Sequence, residues 1–293
     1  MTTQLTNPAD VMPANGFEIA RRLETHAQAA RGALADQTCR ALASDSRIWS
    51  AWCTERNVSV LPAEPTTVVG FVDAQAELKS PATIRRYIAT IAHMHRAAGL
   101  ADPTTAEMVR LAVKRVARAK GSRQRQAAPL DEIAADRILV TQPKTLAGLR
   151  NVALMLVMRD LLARRSEAAA LTVEDLTFAE DGSATALIAR SKTDQEGAGA
   201  VRWLSPRTAA ALRAWLDCAR IASGPLFRAI RKNGVAKPSP LEPGEIARLL
   251  KDMATKAGID SAMISGHSAR VGMSQDLVAA VLGDSQRTAP APS

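Results

Sequence analysis

The stretch "KGSRQRQAAPL", residues 120–130, limits the fold more than any other part of the sequence. It is charged, it is broken by Gly121 and Pro129, and it carries no apolar periodicity, whereas the long regions on either side do. A chain of 293 residues interrupted in this way divides into two domains. The expected parts are a disordered leader (1–16), a helical domain (17–122), a linker (123–129), a second domain (130–280) and an atypical disordered tail (281–293). Apolar residues make up 47%, enough for a core in each half. Aromatics are only 3%, so Ala and Leu carry the apolar pattern and helices are favoured over a β-sandwich.

In the first half, residues 17–34 are Ala-rich with a helical period, and "SDSRIWSAWCTERN" sets Ile48, Trp49 and Trp52 on one helical face. Pro62 and Pro65 break that helix, and Thr66 or Thr67 is placed to cap the next. "KSPATIRRYIATIAHMHRAAGL" spaces Ile84, Ile88, Ile91 and Met94 for a helix stopped at Gly99. "TTAEMVRLAVKRVARAKG" reads as a capping box from Thr104 to Glu107, followed by a helix with Arg110, Lys114 and Arg118 stacked opposite Met108, Leu111 and Val116. In the second half, helices are expected at about 130–139, 146–163, 165–171, 206–221 and 242–257. "TALIAR" and "AVRWLS" read as strands of a hairpin around the loop 191–199.

The formal charge of +9 favours polyanionic partners. The charge is concentrated: Arg85 to Arg125 contains ten Lys or Arg against Asp102 and Glu107, a local balance of +8, which points to a nucleic-acid face. No run of eighteen apolar residues is present, so a membrane partner is not expected. The first residues lack the basic start and apolar stretch of a secretory signal. Cys39, Cys53 and Cys218 are odd in number and widely separated, so a reduced cytoplasmic protein is expected, with neither metal nor cofactor.

Three short motifs carry chemistry. "SGHSARVG" puts His267 and Arg270 one helical turn apart at a helix start, a pairing suited to a phosphodiester. "ARRSE" puts Arg164 and Arg165 directly after an apolar helix, where two guanidinium groups are costly unless an anion meets them. "RSKT" places Lys192 at the turn of the hairpin.

In this order, Arg-x-Ser-Glu before "LTVEDL", a hairpin with "SKT" and then "GHSAR" resemble the tyrosine recombinase (phage integrase) family, most closely the Cre-type recombinases. "WSAWC", "PAEP", "TIRRYIATIAHMHRAAGL" and "LFRAIRKNGVAKPS" extend the resemblance over about residues 35–280. It implies a mainly α, two-domain protein: an N-terminal helical core-binding (SAM-like) domain and a C-terminal α+β catalytic domain with a small antiparallel sheet. It also implies site-specific strand cleavage and religation on double-stranded DNA through a 3′-phosphotyrosyl intermediate. A homotetrameric synapse and a cytoplasmic, nucleoid-associated location follow from the same resemblance. By position, it makes Arg164, Lys192, His267 and Arg270 the phosphate-site residues, with Glu167 as the buttressing acid. The residues expected to touch DNA elsewhere are Arg47, Lys79, Ser80, Thr83, Arg85, Arg86, Arg110, Lys114, Arg118, Arg123 and Arg125.

The sequence departs from that family in one respect. The family's nucleophilic tyrosine follows the His-x-x-Arg pair, whereas the one tyrosine here is Tyr87, upstream of every motif. Only 23 residues follow Arg270, and they hold no Tyr, Trp or His. Nothing around Ser268 or Ser274 marks either as a substitute. The expectation is a truncated recombinase that keeps its DNA clamp and lacks the nucleophile. The alternative is an inactive DNA-binding remnant or a competitor of an intact recombinase. Without the family's C-terminal helix, an apolar surface on the second domain is expected to stay uncovered.

Overall fold

The computed structural model describes residues 16–121, 126–189 and 199–287. It divides into two compact units, Met1–Gln124 and Arg125–Ser293. Both are mainly helical, and the second also carries small antiparallel sheets. No described helix is long and apolar enough to cross a membrane.

The described residues of the N-terminal unit form five α-helices: α1 (Gly16–Ala29), α2 (Asp36–Glu55), α3 (Pro65–Leu78), α4 (Pro81–Ala97) and α5 (Glu107–Lys120). Its core is aromatic. Trp49 packs edge-on against Phe71, with ring centroids 5.0 Å apart, and the Trp49 Nε1–H donates to the Val60 carbonyl at 3.2 Å. Tyr87 lies in the same core, against Phe71 and only 3% exposed. His95 is fully buried; its Nε2 accepts from the Ala63 N–H at 3.0 Å and its Nδ1 lies 2.8 Å from the Ile91 carbonyl. Accepting at one nitrogen and donating at the other requires the neutral ring.

Three local expectations change. Pro65 is the first residue of α3, after Glu64, so neither Thr66 nor Thr67 caps it; proline's fixed φ suits that first position. Thr104 does not cap α5, which starts after Ala106 with no side-chain cap; instead the Asp102 carboxylate accepts from the Thr104 N–H and caps a 3₁₀ turn, Pro103–Thr105. On α5 the buried row is Val109, Ala112 and Val116, while Met108 and Leu111 are exposed. The smaller side chains give α3 the closer approach.

The C-terminal unit winds around α7 (Leu146–Asp160), whose residues Ala153–Met158 are all buried. A helix apolar on all sides belongs inside. Around it lie α6 (Glu132–Thr141), α8 (Arg165–Ala170), α9 (Pro206–Ala219), α10 (Pro243–Lys256) and α11 (Ser268–Arg287). The strands β1 (Leu176–Phe178), β2 (Ala184–Ile188) and β3 (Ala200–Leu204) form an antiparallel sheet in sequential order, with Thr185 opposite Trp203 and Ile188 opposite Ala200. A second hairpin pairs β4 (Arg228–Ile230) with β5 (Ala236–Pro240).

α11 continues through Arg287, into the stretch expected to be an atypical disordered tail. Along it Leu277, Val278, Val281 and Leu282 are all more than half exposed, an apolar stripe at i, i+1, i+4 and i+5.

Two arginines of α7 are buried. Arg159 donates to the Leu130 carbonyl, to Glu132 at 2.8 Å and to Asp276 at 2.7 Å, tying α6 and α11 to the central helix. Arg150 donates to the Asn151 amide oxygen at 2.7 Å and to the Arg228 carbonyl at 3.2 Å. Burial is the main influence on Arg150 and pulls its pKa down, partly opposed by Glu245.

Candidate functional site

α7 ends in a left-handed turn, with Leu162 at φ 51° and the Ala163 N–H returning to the Met158 carbonyl at 3.1 Å. That turn delivers Arg164 to the start of α8. Glu167 then holds Arg164 twice: its carboxylate accepts from the Arg164 backbone N–H at 2.8 Å and from the guanidinium at 2.6 Å. The Glu167 side chain is 8% exposed and that of Arg164 26%, so a buried acid orients a cation that still reaches solvent.

The second motif is fixed by two serines. The Ser265 N–H donates to Ser268 Oγ at 2.9 Å, and Ser265 Oγ accepts from the His267 N–H at 3.1 Å. The Val271 N–H donates to the His267 carbonyl at 2.9 Å, so His267 stands at the mouth of α11 with Arg270 one turn in. His267 is exposed and Arg270 half-buried. Ser268 is fully buried and its hydroxyl is engaged by backbone, which removes it as an attacking group.

The two motifs meet at Gly266. It is buried, and a Cβ there would overlap Cδ and Cγ of Arg165, so the arm of Arg165 lies directly on this backbone. The Arg164–Arg165 pair and the His267 turn, a hundred residues apart in sequence, therefore adjoin. The turn is itself anchored to the start of the unit. The Leu130 N–H donates to the Ser268 carbonyl at 3.0 Å and the Ala128 N–H to the Met263 carbonyl at 2.9 Å. Gly272 rests on the Leu130 peptide so closely that a Cβ would overlap it. Lys192 lies outside the described residues, as do Arg123 and Arg125; in sequence it falls between the end of β2 and the start of β3.

In the N-terminal unit the expected cations sort into two groups. Arg85, Lys114 and Arg118 are exposed and have no ion-pair or hydrogen-bond partner among the described residues. Lys120 donates from Nζ to the Lys79 carbonyl at 3.3 Å, so the last turn of α5, with Arg118, adjoins the Lys79–Ser80 start of α4. Ser80 caps α4 through the Thr83 N–H at 3.3 Å. Arg47 is exposed and bonds the Ala43 carbonyl; Arg110 sits near Glu107 at 3.4 Å and bonds the Thr105 carbonyl. Arg86 differs from all of these. It grips the fully buried carboxylate of Asp45 with two bonds, at 2.9 and 2.8 Å, and so serves the packing of α2 on α4 first. The sequence reading missed Lys120 and Arg159; a cation within the apolar run of α7 was the available signal for Arg159.

Residues 128–286 match the phage integrase family, and the chain belongs to that family, the tyrosine recombinases. Over 249 residues it is 34% identical to an integrase/recombinase XerD homolog of Selenomonas ruminantium, covering 81% of this chain and 72% of that protein. Over 269 residues it is 29% identical to recombinase Cre of Escherichia phage P1, covering 85% of this chain and 78% of that protein. In fold it is similar to the Tn1549 transposon integrase in complex with a circular-intermediate DNA, with a TM-score of 0.62 at 13% identity over 88% of this chain and 87% of that one. It is also similar to lambda integrase, solved as a tetramer bound to a Holliday junction, with a TM-score of 0.58 at 14% identity over 92% and 78%.

Proposed function

We propose that this chain grips duplex DNA through phosphates and presents one phosphodiester to Arg164, His267 and Arg270, with Lys192 completing the pocket. The observation that carries this reading is the meeting of the Arg164 and His267 motifs at Gly266, with Glu167 orienting Arg164. Arginines held in this way neutralise charge that builds on phosphorus, and they are most effective when preorganised. An exposed imidazole beside them can relay the proton of an attacking hydroxyl. The N-terminal unit supplies the sequence-independent hold through Lys79, Ser80, Thr83, Arg85, Lys114 and Arg118, joined by Arg47 and Arg110, and by Arg123 and Arg125 of the linker.

Strand cleavage needs a tyrosine, and Tyr87 does not supply it, because it is buried in the core of the N-terminal unit. Tyr87 is therefore proposed to serve packing rather than attack on the bound phosphodiester. Assembly on DNA is proposed to use the exposed Leu277–Val278–Val281–Leu282 stripe of α11. The test is a gel shift across a salt series beside a trapping assay on nicked duplex. Salt-dependent binding weakened by Arg164→Ala and Arg270→Ala is expected; binding unaffected by both, or a covalent adduct lost in Tyr87→Phe, overturns it.

A further inference from the structure

We propose that Arg165 is a further phosphate-gripping residue of this pocket, held in place by the absence of a side chain at Gly266. The inference rests on the reading above and extends it to a residue that the motif match left as a mere neighbour. Arg165 is half-buried, yet its guanidinium has no carboxylate, carbonyl or hydroxyl partner among the described residues. Arg164 beside it has Glu167, and the other inward arginines, Arg150 and Arg159, are each bonded. A partly desolvated cation with no counter-group is costly unless an anion arrives from outside the chain.

Its surroundings say which anion. The arm crosses Gly266, the residue just before His267, so the charge is carried from α8 toward the turn where His267 and Arg270 stand. No carboxylate pairs with His267, Arg270 or Arg165 among the described residues, and the one acid at the site, Glu167, is taken by Arg164. A planar guanidinium adds two parallel donors to such a cluster and matches the non-bridging oxygens of a phosphodiester. Gly266 is needed because any Cβ there would displace the arm.

The test uses the full chain and a random-sequence DNA duplex, with affinity measured over a salt series. Arg165→Met keeps the packing arm and removes the charge. It is expected to weaken binding roughly three- to tenfold at moderate salt and to reduce the magnitude of the salt slope by about 0.9, the value for one lost phosphate contact. Gly266→Ala is expected to reproduce most of that loss, and Gly266→Ala combined with Arg165→Met to add little, because both remove the same contact. Circular dichroism and melting establish that each variant is folded. Affinity and slope unchanged in folded Arg165→Met overturn the proposal, as does full additivity of the pair. If Arg270→Ala and Arg164→Ala lower the slope while Arg165→Met does not, this inference fails and the proposed function stands; if none lowers it, the proposed function fails as well.

Discussion

The two units treat their arginines in opposite ways. In the N-terminal unit the described cations stay outside: Arg85, Lys114 and Arg118 are exposed with no partner among the described residues, and even Arg86, which holds Asp45, keeps half its surface in solvent. The C-terminal unit takes Arg150 and Arg159 inside and surrounds Arg164 with an acid. Exposed cations on flexible stems suit a uniformly charged partner, where affinity grows with the number of contacts and little depends on the placing of any one. Buried and tethered guanidinium groups give up that freedom for fixed geometry, which a reacting phosphate requires. On the proposed reading, cations supply attraction in one unit and alignment in the other.

The largest effect that would break this contrast is expected from Arg159→Met. It leaves Asp276 and Glu132 without their shared cation and frees the Leu130 carbonyl, and a loss of about 3 kcal/mol is expected from the C-terminal unit. Denaturant unfolding measures it; a change below about 1 kcal/mol would show that burial of this arginine is incidental. Next is Arg86→Met, which strands the buried Asp45 carboxylate. It should cost the N-terminal unit about 2 kcal/mol, discounted because half of Arg86 faces water. The same chevron or melting series with Asp45→Asn alongside tests whether the pair accounts for it.

A third prediction concerns acid. Burial depresses the pKa of His95 below its usual 6.5, with the Ile91 carbonyl and Asp102 opposing. The unfolded chain therefore takes up the proton first, so stability is fully present above about pH 6.5 and declines as pH falls below it, by up to about 1.4 kcal/mol per pH unit. His93 is shifted the same way, by burial, then His26 and Arg96. The sequence has four histidines, and the fourth, His267, is exposed in the other unit, so acid is expected to loosen the N-terminal unit first. Hydrogen exchange at pH 7.5 and 5.5, resolved by unit, reads this, and His95→Gln should flatten the dependence (~1 unit either side of the usual histidine range). The smallest effect on stability is expected from Lys114→Ala, within about 0.5 kcal/mol, while the DNA salt slope falls by about 0.9.

Much of this was legible in the sequence where one physical signal dominated. The apolar run of α7 and the pairing of β2 with β3 needed no tertiary information. The β4–β5 hairpin was missed although Asn233-Gly234 is a strong turn signal, because β5 is rich in proline and polar residues and does not alternate as a strand should. On α5 two apolar rows differ by a rotation of one residue, and only the packing partner chooses between them. For the candidate site, motifs put forward Arg164, Glu167, His267 and Arg270, but the contact of Arg165 with Gly266 joins positions a hundred residues apart and belongs to the fold. Nor could spacing show that Arg86 has an internal partner 41 residues away.

The anchoring of Leu130 has a mechanical consequence. The backbone that enters the C-terminal unit is stitched at Ala128 and Leu130 to the loop and helix start around His267, and Gly272 lets the helix lie flush upon it. Ala128 and Leu130 also pack into the core of the unit, so a pull on this strip of chain would load the His267 turn and the hydrophobic interior together.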